Sequence, residues 1–196
     1  MAFGRILKRG FYERPTVEVA RDLLGKVLVH GPAAGVIVET EAYLGGDDLA
    51  AHSARGITDR TRVIFGSPGH AYVYFIYGCW HALNVSAETT GVGAGVLLRA
   101  LEPLEGIGLM QRHRGVERPL DIARGPGRLA AALDIDGRLD GVDLCAPGPL
   151  WLGPPAGPVG RVGRSTRIGI SREIERKLRF FERDNAFVSG PRRLRA

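Results

Sequence analysis

The apolar runs of this chain are short, and that limits what it can fold into more than any other feature. KVLVH (26–30), GVIVETEAYLG (35–45), AYVYFIY (71–77), WHALNVSAE (80–88) and GVLLRALE (95–102) are strand-length and rich in β-branched and aromatic residues. None approaches the roughly 20 apolar residues that a helix needs to cross a bilayer. Helical patterns are fewer. RPTVEVARDLLGK reads as a short helix capped by Thr16, with Val19 and Leu23 inward and Gly25 ending it. Pro103 suits the first turn of a helix running to about His113, and GPGRLAAALD starts another near Pro126. RIGIS (167–171) and LRFFERD (178–184) read as late strands, and the Gly- and Pro-rich stretch 145–163 as irregular. Strands outnumber helices and adjacent ones can pair antiparallel, so the predicted class is α+β. We expect one compact domain over residues 1–196, a mostly antiparallel curved sheet, flanking short helices and a β-hairpin turning at Gly78.

Composition narrows the partners. The formal net charge is +6, with Lys8, Lys26 and Lys177 the only lysines, so the positive charge is nearly all arginine. That balance favours a polyanion, and arginine adds a planar fork for phosphate. Cys79 and Cys145 form no CxxC, and the five histidines show no paired spacing, so neither a disulfide scaffold nor a metal site is expected. GPGRLAAAL lacks the phosphate-binding glycine spacings, and no cofactor is expected. The N-terminal MAFGRILKRGFYERP is too polar for a signal peptide, which points to the cytoplasm.

Two strands could carry chemistry. In VIVETEAY, alternation puts Ile37, Glu39, Glu41 and Tyr43 on one face and Val36, Val38, Thr40 and Ala42 on the other. In AYVYFIY it groups Tyr72, Tyr74 and Ile76 against Val73, Phe75 and Tyr77. If the strands lie close, a carboxylate and several phenol rings surround one cavity, suited to a flat, electron-poor ligand. On pattern alone, a solvated face accounts for Glu39 and Glu41 equally well. Tyr77, at the turn, fits either a ring inserted between stacked bases or an ordinary turn tyrosine beside Trp80. His52 lies in the long polar loop 45–62, where a surface role is the usual one. Asn84 could read a base edge or hold a neighbouring backbone group. Arg99 interrupts an apolar strand and needs a partner, for which Glu102 is available. The stretch RVGRSTR (161–167) and the run RRLR (192–195) are basic patches.

Taken in order, VETEAYLG, AAHS, YVYFIYGCWHALNVS and VLLRALEPLEG resemble the alkyladenine (3-methyladenine) DNA glycosylases of the mammalian-like type. The likeness runs over residues 11–135 and resumes at RIGIS and LRFF. It implies a single-domain fold whose hairpin enters the minor groove of duplex DNA, and excision of alkylated or deaminated purines flipped from the stack. By position, Glu41 matches the general base and Arg99 the arginine that helps hold the water. Tyr43, His52 and Tyr74 match the pocket that holds the base, and Asn84 the residue that discriminates against a purine 2-amino group. Tyr77 matches the ring that fills the gap in the duplex, with Arg62, Ile64 and Cys79 expected near the DNA. Ile64 and Cys79 stand where mammalian members carry methionine, and Trp80 and His81 also depart from them. The partner implied is double-stranded DNA with damaged purines, met by a monomer away from any membrane. Two other readings compete: a non-catalytic nucleic-acid-binding module, which has no use for a carboxylate beside phosphate, and a metal-dependent nuclease, for which Asp47 and Asp48 are the available pair.

Overall fold

The computed structural model describes residues 4–76, 78–191 and 194. Helix α1 (Thr16–Asp22) precedes strands β1 (Lys26–His30) and β2 (Ala33–Tyr43). The following loop holds one 3-10 turn, His52–Arg55, and ends in α2 (Arg62–Phe65). Strands β3 (Ala71–Ile76), β4 (Trp80–Ala87) and β5 (Ala94–Glu105) come next, then α3 (Ile107–Arg114) and α4 (Pro126–Ala132). The chain closes with β6 (Leu150–Pro155), β7 (Val162–Ser165) and β8 (Arg179–Glu182). The sheet runs β3-β4-β5-β2-β1-β6, with β8 also on β2 and β7 on β8, and every pairing is antiparallel. This is the α+β architecture expected from the short runs.

Strand β2 organises the sheet. Its first half pairs with β1 as far as Val36, and its second half takes β8 on the same side at Glu39, Thr40 and Glu41. The change of neighbour coincides with register slips against β5 on either side of Glu39. Such slips bend a strand and re-aim its side chains. With β5 on one flank and β8 on the other, residues 37–42 are all buried. The helices cover the sheet through Val19, Met110 and Leu129, which join Leu28, Ile37, Leu83, Leu98 and Leu101 in one apolar core. Helix α4 comes so close to β4 that a Cβ at Gly127 would stand 3.0 Å from Trp80. Only glycine admits that approach without displacing the ring.

Three expectations need correction. Pro103 lies inside β5 and not in a helix, opposite Gly35 and beside a register slip, where a missing N–H costs little. The helix starts at Ile107, after Gly106 in the left-handed region at φ 69°. RIGIS forms no strand: it breaks at Gly169, φ 79°, while Arg167 turns inward. The stretch 145–163 is not wholly irregular, because β6 and the start of β7 fall within it. Strand β6 sits at the sheet's outer edge, where Pro154 and Pro155 are tolerated. Thr16 is the first helical residue rather than the cap; its hydroxyl and N–H both reach the Glu88 carboxylate.

Candidate active site

Both glutamates of β2 are 0 % exposed, which removes the solvated reading. They belong to a buried row of four charges. Arg99 on β5 donates Nε–H to Glu39 Oε1 at 3.0 Å, and its Nη1 stands 3.3 Å from Glu41 Oε2 as an ion pair. Arg179 on β8 gives Nε to the same Glu39 oxygen at 2.7 Å. The Ser189 N–H donates to Glu39 Oε2 at 2.6 Å. Glu41 accepts from the Ile168 N–H at 2.8 Å and from the Tyr43 hydroxyl at 2.9 Å. Glu102 is not the partner of Arg99; it accepts from Asn185 Nδ2 at 2.9 Å.

The surroundings push the two carboxylates apart. Burial would raise Glu39, but Arg99, Arg179 and the donated hydrogen bonds outweigh it and hold the group below its ordinary range. For Glu41 burial prevails over Arg99, the Ile168 N–H and the Tyr43 hydroxyl, and the negative charge of Glu39 adds to it, so its proton affinity is raised. Like groups two residues apart are thus shifted in opposite directions by their surroundings.

Above this row opens a cleft of about 840 Å³. Tyr43, His52, Tyr72, Tyr74, Asn84 and Arg99 are among the residues lining it. The His52 and Tyr74 rings meet edge-on with centroids 4.5 Å apart, and Tyr72 and Tyr74 lie 5.0 Å apart. His52 Nδ1 is 3.0 Å from the Tyr72 hydroxyl. Burial, then the charges of Arg60 and Arg55, press the His52 pKa down to about 4, so its ring is neutral near pH 7. Burial likewise lifts the Tyr72 hydroxyl to about 12. The Arg60 guanidinium lies 4.9 Å over the Tyr74 ring. Arg167 lies 4.7 Å over Tyr43, held there by two contacts to Asp48 at 2.6 and 2.8 Å and by the Ala42 carbonyl at 3.1 Å. Asp48 also accepts from the N–H groups of Leu44 and Ala50, so it braces the loop rather than offering a metal ligand with Asp47.

The structure therefore brings Tyr43, His52, Tyr74, Asn84 and Arg99 to one cleft and sets Glu41 beneath it, tied to three lining residues, Tyr43, Arg99 and Ile168. Asn84 Nδ2 rests 3.4 Å from the Tyr72 carbonyl. Ile64 is 6 % exposed and forms part of the cleft wall. Arg62 and Cys79 are exposed, outside the lining set. Tyr77 lies outside the described residues, as do three of the four positions of the RRLR run. Sequence reasoning missed Arg60, Arg167, Arg179 and the backbone donors of Ile168 and Ser189. It also left Tyr72 without a role, although alternation with Tyr74 had placed it on the pocket face.

The class is that of DNA glycosylases, hydrolases acting on N-glycosyl bonds in DNA repair. Residues 10–186 match the methylpurine-DNA glycosylase family, and the chain belongs to that family. A relative from Mesorhizobium japonicum, described as "Putative 3-methyladenine DNA glycosylase", is 57 % identical over 183 residues, 91 % of this chain and 88 % of the relative. Relatives of the same description from Methanoculleus marisnigri and Paraburkholderia phytofirmans are each 50 % identical, over 93 % and 91 % of this chain and 98 % and 85 % of their own length. No helix among the described residues is long and apolar enough to cross a membrane.

Proposed function

We propose that this chain, as a single domain and a monomer, is a monofunctional glycosylase that excises alkylated or deaminated purines, 3-methyladenine among them, from duplex DNA. The observation that carries this reading is the raised, fully buried Glu41 held against Tyr43 and Arg99 under a ring-lined cleft. A base must leave the stack to enter such a cleft, at a cost of a few kcal/mol. Stacking on Tyr43 and Tyr74 returns roughly 1–3 kcal/mol, and the Tyr77 ring fills the vacated space. An alkylated purine carries positive charge, which favours the electron-rich faces of these rings.

The chemistry then needs one water. Its oxygen bonds to the anomeric carbon as the bond from that carbon to the purine nitrogen breaks, the electron pair going to the departing base. Glu41 takes the proton, and its charge opposes the oxocarbenium character that builds on the sugar. Arg99, which lines the cleft, positions the water beside Glu41. Asn84, at the cleft wall, tests the purine edge. None of the three lysines lines the cleft, so no lysine amine is placed to form a covalent adduct with the sugar.

The test is incubation of purified protein with duplexes carrying single defined lesions, scored for abasic sites. Wild type should generate them. Glu41→Gln should lose excision while binding the lesion duplex within a few-fold of wild type, and retained excision by that variant would remove Glu41 from its role.

A further inference from the structure

Glu39 takes no part in the proposed reaction, yet both of its carboxylate oxygens are held beneath the cleft. One of its oxygens accepts from Arg99 and from Arg179, and the other from the Ser189 N–H. Arg179 is itself fixed from behind. Its Nη1 donates to the Ser165 hydroxyl at 2.8 Å and the Leu194 carbonyl at 2.6 Å, and its Nη2 to the Ser189 carbonyl at 3.1 Å. Its guanidinium lies 4.5 Å over the Phe181 ring. The row therefore alternates in sign, Arg179, Glu39, Arg99, Glu41, and is anchored at the end away from Glu41.

The consequence falls on Arg99. Its Nε edge is engaged by Glu39 at 3.0 Å, so Glu41 receives only Nη1, at the longer 3.3 Å. A guanidinium released from Glu39 could offer a carboxylate two parallel N–H bonds, the geometry that holds a carboxylate most firmly as an anion. We propose that Glu39 is a positioning residue, which keeps Arg99 from closing on Glu41 and so leaves Glu41 able to accept the proton of the attacking water. This rests on the reading of Glu41 as the base.

The other groups facing Glu41 do not substitute for it. Tyr43 on its own strand donates a hydrogen bond, and Tyr74 on β3 acts on that hydroxyl. Arg167 and the Ile168 N–H, from the segment after β7, both favour the anion, and Arg167 is largely neutralised by Asp48. Arg179 on β8 is separated from Glu41 by Glu39. Among these groups Glu39 is the negative charge that opposes ionisation of Glu41.

The experiment has two arms. In the first, single-turnover excision is followed from pH 4 to 9 for wild type, Glu39→Gln, Glu39→Asp and Glu41→Gln. Glu39→Gln removes the like charge and frees Arg99, so the midpoint of the rising limb should move down by about one pH unit or more, with a lower plateau. Glu39→Asp keeps the charge and should hold the midpoint near that of wild type. A reduced rate with an unmoved midpoint in Glu39→Gln would leave Glu39 a merely structural residue and overturn the proposal. The second arm needs neither a variant nor activity: carbon-13 NMR of the glutamate side-chain carboxyls in wild type. Glu39 should stay ionised down to acid unfolding while Glu41 titrates above the ordinary carboxylate range, and the opposite order would overturn the proposal even if Glu39→Gln fails to fold. Excision retained by Glu41→Gln would sink the base assignment alone, because the NMR order is read separately.

Discussion

Replacing Asp48 with alanine probes the brace that sets the cleft's Tyr43 wall. Asp48 and Arg167 are both fully buried and joined by two short contacts. Removing one partner of a buried pair leaves an uncompensated charge, which costs about 3–5 kcal/mol. Against a total stability of roughly 5–15 kcal/mol that is a large fraction. For a domain near 200 residues, each kcal/mol moves Tm by about 2–4 °C, so a drop of about 6–20 °C is expected. Urea unfolding followed by tryptophan fluorescence gives the free energy, and calorimetry the Tm. The double variant Asp48→Ala, Arg167→Met removes both charges and should recover much of the loss. The pH dependence carries a sign. The Arg167 hydrogen bonds and charge outweigh burial and hold Asp48 below its ordinary value. Its stabilisation is therefore complete above the unfolded pKa, near 4, and is lost as pH falls through the lower folded value. The gap between wild type and Asp48→Ala should narrow below about pH 4. A loss under 1 kcal/mol at pH 7, or a double variant as unstable as the sum of the singles, would refute the idea that a buried pair holds this wall.

His52 is neutral above about pH 5, because its pKa lies near 4, so the excision profile of His52→Gln should parallel that of wild type through pH 6–8; curves that converge near pH 6.5 would contradict this. Borohydride added during turnover should trap no protein–DNA adduct, since no lysine lines the cleft; a trapped covalent complex would show a different mechanism. Binding to undamaged duplex should weaken steeply with salt and show little sequence preference, given the +6 charge carried mostly by arginine, whereas a flat plot of log affinity against log salt would not fit.

Short apolar runs and glycine turns were enough to place β1 to β5 within a few residues, because those signals are local. Pro103 misled because a proline at a register slip and a proline at a helix start look alike until the strand partner is known. On pattern alone Glu39 and Glu41 could not be told from a wet face, for a related reason. The strand that covers them, β8, lies some 140 residues away in sequence, and nothing within VETEAY announces Arg179. The side chains of the cleft were legible where type and spacing coincide, as at Tyr43 and Tyr74, whereas Arg99 was placed at the site only by the family resemblance. The donors from Ile168 and Ser189 were not, since a backbone N–H leaves no mark on residue identity.

The span of the charge row also bears on how the protein is made. β2 is synthesised early, but Glu39 finds Arg99 60 residues later, Arg179 140 residues later and the Ser189 N–H 150 residues later. At about 5–20 residues per second, a nascent chain spends roughly 7–30 seconds between making Glu39 and making Arg179, with Arg99 alone available to the two carboxylates for the latter part of that time. Sealing that strand before the distal residues arrive would strand bare charge in an apolar interior, at a free-energy cost that disfavours early closure. A ribosome-bound fragment that lacks β8 would carry the rings of the cleft above a charge row missing Arg179 and the Ser189 N–H, so the row is completed only once the last strand and the residues after it have been made.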